Sequence, residues 1–161
     1  MAALALWLLR YDVARRTVRK PGLTRFIAIC LLAGYGWLAV GGILVGYFGG
    51  VTAGFHYDAI LHAVFVGFVM SMIFGHAPII FPAITGKAIP FRSAFYLHLA
   101  LLHLSLLLRV AADLAVWLPA RQWGGLLNVV AVLLFLLNTV LAIRQAMAAS
   151  GPSKIVPQRA A

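Results

Sequence analysis

Two sets of polar side chains interrupt an otherwise apolar chain, and their spacing limits the chemistry open to them. Asp58 and His62 are four residues apart, as are Arg109 and Asp113. That interval puts each pair on one face of a helix. A guanidinium set between two carboxylates could be a structural ion pair, a proton path or a clamp for haem propionates. His76, His98 and His103 form the second set. Neutral imidazoles brought together from different helices can ligate haem iron or hold copper. His98 and His103 are turned about 140° from each other at 100° per residue, so one helix cannot aim both at one metal. The expected ligand pair is therefore His76 with His98, or His76 with His103. No HxxxH or CxxCH motif ties the histidines to a known cofactor class. Each of them taken singly reads equally as a hydrogen-bonded packing residue.

The elements that must position these residues are membrane helices. The chain has 161 residues, of which 64% are hydrophobic and 10% charged. Only Asp12, Asp58 and Asp113 are acidic, too few for the mixed-charge surface of a soluble domain. The fold class is all-α and integral to the membrane: four spans preceded by a short basic segment that is cytoplasmic or interfacial. The spans run from about 26 to 47, 57 to 80, 94 to 118 and 123 to 146, each near the 20 residues that cross a hydrocarbon core. Residues 1–22 form the basic interfacial segment, 23–148 the four-helix domain, and 149–161 a flexible cytoplasmic tail. Cys30 is the only cysteine, so neither a disulfide framework nor a CxxC pair exists.

Charge sets the orientation. The net charge of +10 excludes neither nucleic acid nor lipid by itself, but the basic residues gather at span ends, as they do beside anionic headgroups. No nucleic-acid partner is expected. Arg10, Arg15, Arg16, Arg19, Lys20 and Arg25 precede the first span, Lys87 and Arg92 follow the second, and Arg144, Lys154 and Arg159 follow the fourth. Arg121 alone lies on the other side. This places both termini in the cytoplasm of a bacterial inner membrane. Asp58, His62, Arg109 and Asp113 then lie near the outer face, and His76 and His98 towards the inner face. His62 and His76 are fourteen residues apart, about 21 Å along a helix, and belong to different ends. The apolar residues 2–9 are too few to cross a bilayer. Together with the basic run up to Pro21-Gly22, they read either as an interfacial helix or as the cytoplasmic end of a span from a longer ancestor.

Small residues indicate which faces meet protein. Gly42, Gly46 and Gly50 recur every fourth place in the first span, and Ala63, Gly67, Ser71 and Gly75 do so in the second. Lipid gives no hydrophobic drive between helices, so close approach along such stripes is a main source of association. Pro78 and Pro82 end the second span. Pro78 also deprives the Phe74 carbonyl of its usual partner.

The stretches GYGWLAVGGIL (34–44), LHAVFVGFVMSMIFGHAPIIFPAITGKAIPF (61–91) and LLLRVAADL (106–114) resemble the C-terminal part of the NnrS-type haem–copper membrane proteins. The resemblance covers residues 19–145, and that family is about twice as long as this chain. It implies a setting of haem, copper and nitrosative stress, and it places His62, His76 and Arg109 on the family's pattern. His98 and His103 fall outside it. The family's glycine–histidine pair is followed by a threonine–glycine; here Ala77-Pro78-Ile79-Ile80-Phe81-Pro82 follows, replacing a small polar turn with a stiff apolar one.

Two functions are expected from these readings. The first is a small subunit of a larger membrane assembly related to electron transfer, surrounded by lipid and by other membrane subunits or copies of itself, with no catalysis of its own. The second is a redox or gas-handling protein that holds haem b or copper through His76 with His98 or His103, with His62 near the outer face. A proton- or solute-conducting bundle along Asp58, His62, Arg109 and Asp113 is a third.

Overall fold

A computed structural model describes residues 1–86 and 91–149, and all of its regular elements are helices. Lys87 and the basic residues of the tail lie outside the described residues. The elements are α1 (Ala2–Tyr11), α2 (Ala14–Thr17), α3 (Leu23–Phe48), α4 (Phe55–Leu61), a π-helical stretch (His62–Val69), α5 (Met70–Thr85), α6 (Phe95–Leu114) and α7 (Leu118–Ala149). α4, the π stretch and α5 are continuous and form the second of four helices long and apolar enough to cross a membrane; α3, α6 and α7 are the others.

Local chemistry explains where these helices begin and end. Pro21 and Gly22, with φ +68°, turn the chain into α3, and Gly49-Gly50 release it at the far end. The second span does not stop at its prolines. It continues through Pro78 and Pro82 to Thr85, where left-handed Gly86 donates its N–H to the Pro82 carbonyl at 2.9 Å. Pro78 and Pro82 are one turn apart, so the missing donors fall on one side of the helix and the other side carries it on. The third span ends at Leu114, four residues earlier than expected, and the fourth begins at Leu118 instead of 123. The cause is a tight cap. Trp117 N–H reaches the Ala112 carbonyl at 2.9 Å and Val116 N–H the Asp113 carbonyl at 3.3 Å, with Val116 at φ +53°. Pro119 then sits in the first turn of α7, where its lack of an N–H costs nothing.

The basic segment over 1–22, expected as an interfacial helix or as the cytoplasmic end of a longer span, holds two helices. α1 is apolar and holds Arg10 as its one cation; Arg15 and Arg16 lie in α2, and Arg19 and Lys20 in the turn after it. α1 also stands alongside α3. Ala2 meets Gly42, and the Asp12 carboxylate accepts the Tyr35 hydroxyl at 3.0 Å, so α1 runs back along α3 with Ala5 buried between them.

The helices pack as a row in chain order: α1 and α2 on α3, α3 on the π stretch and α5, α4 and the π stretch on α6, and α6 on α7. Two apolar clusters fill the seams. One gathers Phe26, Cys30, Phe74, Phe95, Leu102 and Phe135; the other gathers Leu44, Ala59, Leu106 and Val110.

Candidate functional site

The first turns of α4 and α7 and the last turn of α6 meet at one end of the row and build a four-charge clamp. Arg109 Nη2 lies 3.2 Å from Asp58 Oδ2, and its Nε is 3.2 Å from Asp113 Oδ2. Its remaining Nη1 donates to the Arg121 carbonyl at 3.2 Å. Arg121 completes the clamp, with Nε 2.9 Å from Asp113 Oδ1 and Nη2 on Asp58 Oδ2. Asp113 is fully buried and sits between both guanidinia. The Arg121 guanidinium also lies 4.6 Å above the Phe55 ring. Planar forks suit this arrangement, since each guanidinium can serve two acceptors in fixed directions.

Backbone spacing makes the clamp possible. A Cβ on Gly124 would come within 2.8 Å of the Arg109 backbone, and one on Gly125 within 2.7 Å of Arg109 Nη1. These two glycines let α7 close on α6 at the level of the guanidinium. His62 borders the clamp but is held by its own helix, with Nδ1 2.8 Å from the Asp58 carbonyl. One ligand atom each from Asp58, His62 and Asp113 lie within 4.8 Å of one another, close enough to share a cation. The electrostatics oppose that use. Two carboxylates are already matched by two guanidinia, so a cation entering there would have to displace an arginine.

Sequence spacing joined Asp58, His62, Arg109 and Asp113. It missed Arg121, Gly124 and Gly125. A sign was present in Arg121, the single cation assigned to that end of the chain, while the two adjacent glycines resemble any loose helix start.

The three histidines of the second set point in three directions. His98 is 1% exposed and enclosed by aromatic rings, with centroids of Phe74, Phe135 and Phe95 at 4.9, 5.4 and 5.8 Å. The Asn138 amide contacts its Nδ1 at 3.2 Å. Beside it lies a cavity of about 10 Å³ bounded by Phe74, Pro78 and Thr139, room for one water and no more. His103 instead accepts a hydrogen bond on Nδ1 from Trp37 Nε1 at 3.0 Å, which ties α6 to α3. His76 is exposed, and its Nδ1 is 2.7 Å from the Met72 carbonyl of its own helix. Phe74 faces His98, and two residues along a helix turn the chain by about 200°, so His76 looks away. The expected ligand pairs, His76 with His98 or with His103, are not assembled here.

The small-residue stripes divide. Gly67 lies against the Trp37 side chain, and a Cβ on Gly75 would be 3.1 Å from Cys30 Cβ. Ala63 and Ser71 are fully buried, the Ser71 hydroxyl donating to the Gly67 carbonyl at 2.5 Å. The α3 stripe is different. Gly42 packs on α1, Gly46 has open space, and Gly50 is a turn residue at φ +97° beyond the helix. The α3 glycines that meet the second span are Gly34 and Gly41, against Met72 and Val64.

A groove of about 380 Å³ opens sideways between the π stretch and α7, lined by His62, Val66, Met70, Asn128, Val129 and Leu133. Asn128 is 7% exposed. Its Oδ1 is 2.6 Å from the Ser105 hydroxyl, and its Nδ2 has no partner among the described residues.

Comparison with known proteins gives one family. The model of a family described as a domain of unknown function (DUF8744) matches residues 1–144. No curated protein and no solved structure matches the chain.

Proposed function

The chain belongs to the DUF8744 family, and we propose that it is a small subunit of a larger membrane assembly, held in shape by the arginine–aspartate clamp. By charge distribution it sits in a bacterial cytoplasmic membrane with its arginine-rich end inward. The likeness of residues 34–44, 61–91 and 106–114 to NnrS-type proteins supports an electron-transfer setting. The observation that carries the reading is the sideways groove. It presents His62 and an apolar wall of Val66, Met70, Val129 and Leu133 on a face that lipid would otherwise cover. Hydrocarbon leaves the second ring nitrogen of His62 without a partner, whereas a helix from a partner subunit can supply one and fills the apolar wall around it.

The test is mild extraction followed by native electrophoresis and mass photometry. The wild-type chain should migrate with larger membrane proteins. Val129→Trp, which fills the groove from an exposed position, should release it while leaving helix content unchanged. A wild-type chain that emerges alone from the gentlest extraction would sink the proposal.

Haem or copper held by His76 with His98 or His103 gains no support from the geometry, because the imidazoles diverge and the space beside His98 admits one water. A haem or copper signal in the purified protein that vanishes in His98→Ala would reverse that judgement.

A further inference from the structure

The region where α1 turns into α2 has a charge problem of its own. Arg10, Arg15, Arg16 and Arg19, with Tyr11, Asp12 and Val13, line one open recess of about 610 Å³. Asp12 is the only carboxylate there, and both of its oxygens are engaged. Oδ1 accepts the Ala14 N–H at 2.7 Å, and Oδ2 accepts the Tyr35 hydroxyl at 3.0 Å. Arg15 Nη1 donates to the Arg10 carbonyl at 3.0 Å, which folds one guanidinium back over the elbow. None of the four arginines forms an ion pair among the described residues. Four guanidinia against one carboxylate leave three positive charges facing a shared space.

Position narrows the counter-ion. Asp12 is pinned to Tyr35, which is twelve residues into α3 and so about 18 Å from the start of that helix. α3 is about 39 Å long, against a hydrocarbon core of about 30 Å. Asp12 is therefore level with the middle of α3, and the chain returns from there to the start of that helix at Leu23, carrying Arg15, Arg16 and Arg19 alongside its first half. Unpaired arginines at that depth draw headgroups and water towards them. Directly above, α1 turns Leu4, Leu6 and Trp7 outward, all more than half exposed. A charged recess beneath an outward apolar flank matches a molecule with a phosphate head and alkyl chains. Guanidinium forks recognise phosphate oxygens two at a time.

We infer that the α1–α2 elbow is a binding site for the phosphate of an anionic phospholipid, with Arg15, Arg16 and Arg19 as its principal ligands. The inference rests on residence in a bilayer and is independent of any partner subunit.

The test uses the full chain reconstituted in nanodiscs of equal phosphatidylglycerol and phosphatidylcholine, then stripped with detergent and weighed by native mass spectrometry. Phosphatidylglycerol should be retained in preference to phosphatidylcholine. Arg15→Gln, Arg16→Gln and Arg19→Gln, made singly to preserve folding, should each lower that retention about fivefold, the factor expected for one arginine near a charged lipid surface. Equal retention of the two lipids by the wild-type chain overturns the inference, and so do variants that hold phosphatidylglycerol as well as wild type. Protection of the lipid-free protein by inorganic phosphate alone would assign the recess to free phosphate and overturn the lipid source. Carbonate extraction of native membranes reads bilayer residence separately; release of the chain would remove the membrane reading and the lipid site with it.

Discussion

Asp113 shows how much of the clamp depends on single side chains. Its carboxylate is buried, and its two counter-charges come from Arg109 one turn earlier and Arg121 across the α6–α7 turn. Removing one partner leaves a buried charge short of compensation, which costs about 3 kcal/mol or more in comparable pairs. Arg109→Leu should therefore lower the unfolding free energy by about that amount, read by steric trapping or by denaturant unfolding in mild detergent. An unchanged midpoint would mean that the clamp does not hold α4 and α6 together. Val116 contributes strain of the opposite kind. A β-branched residue at φ +53° occupies the place in the helix cap where glycine is favoured. Val116→Gly should raise stability by about 1 kcal/mol in the same assay, because it leaves the cap's hydrogen bonds intact and removes the clash. At this scale the sequence was legible where partners share a helix, since Asp58 with His62 and Arg109 with Asp113 follow from a four-residue interval. Partners from different helices were not: His103 found Trp37 and His98 found Asn138, and no spacing encodes either.

Among the elements, α3 and the second span show what a stripe of small residues can and cannot specify. Gly67 touches Trp37, while Gly46 has nothing near it. Gly67→Leu should cost about 1 to 3 kcal/mol from overpacking and loosen α3 from the π stretch. Gly46→Leu should leave thermal stability within error, and a drop as large as that of Gly67→Leu would show that Gly46 meets a surface outside this chain. A four-residue repeat drifts about 40° per step around a helix, so three glycines in register need not share one neighbour. That drift is why the α3 stripe has no single neighbour: its first member meets α1, and the contact with the second span is made by Gly34 and Gly41. The π stretch was also hidden. Nothing in HAVFVGFV distinguishes five-residue hydrogen bonding from four, because beyond His62 its side chains are apolar throughout and suit an exposed face or a seam in either register. The spans themselves were plain from length and composition alone, and only their ends moved, at the Val116 cap and past the two prolines.

For the whole molecule, the proposed orientation is the statement with the widest reach. Single cysteines introduced at Ser93 and at Trp117, in a Cys30→Ser background, should label differently with an impermeant maleimide. Trp117 should react from the outside of intact cells and Ser93 only after permeabilisation. The reverse pattern would invert every depth assignment made from charge. The row-like packing also has a kinetic meaning. Each helix finds its main neighbour in the element made just before it, so assembly can keep pace with synthesis and needs little long-range search. Several contacts stand outside that order, among them Trp37 with His103, 66 residues on, Asp58 with Arg121, 63 residues on, and the stacked rings of Phe74 and Phe135. Asp58 enters with α4 and must wait, unpaired by arginine, until α6 and then the first turn of α7 arrive. The clamp is therefore a late-closing latch. It closes only when the first turn of α7 is in place, and a chain stalled before Arg121 would carry an unfinished charge centre.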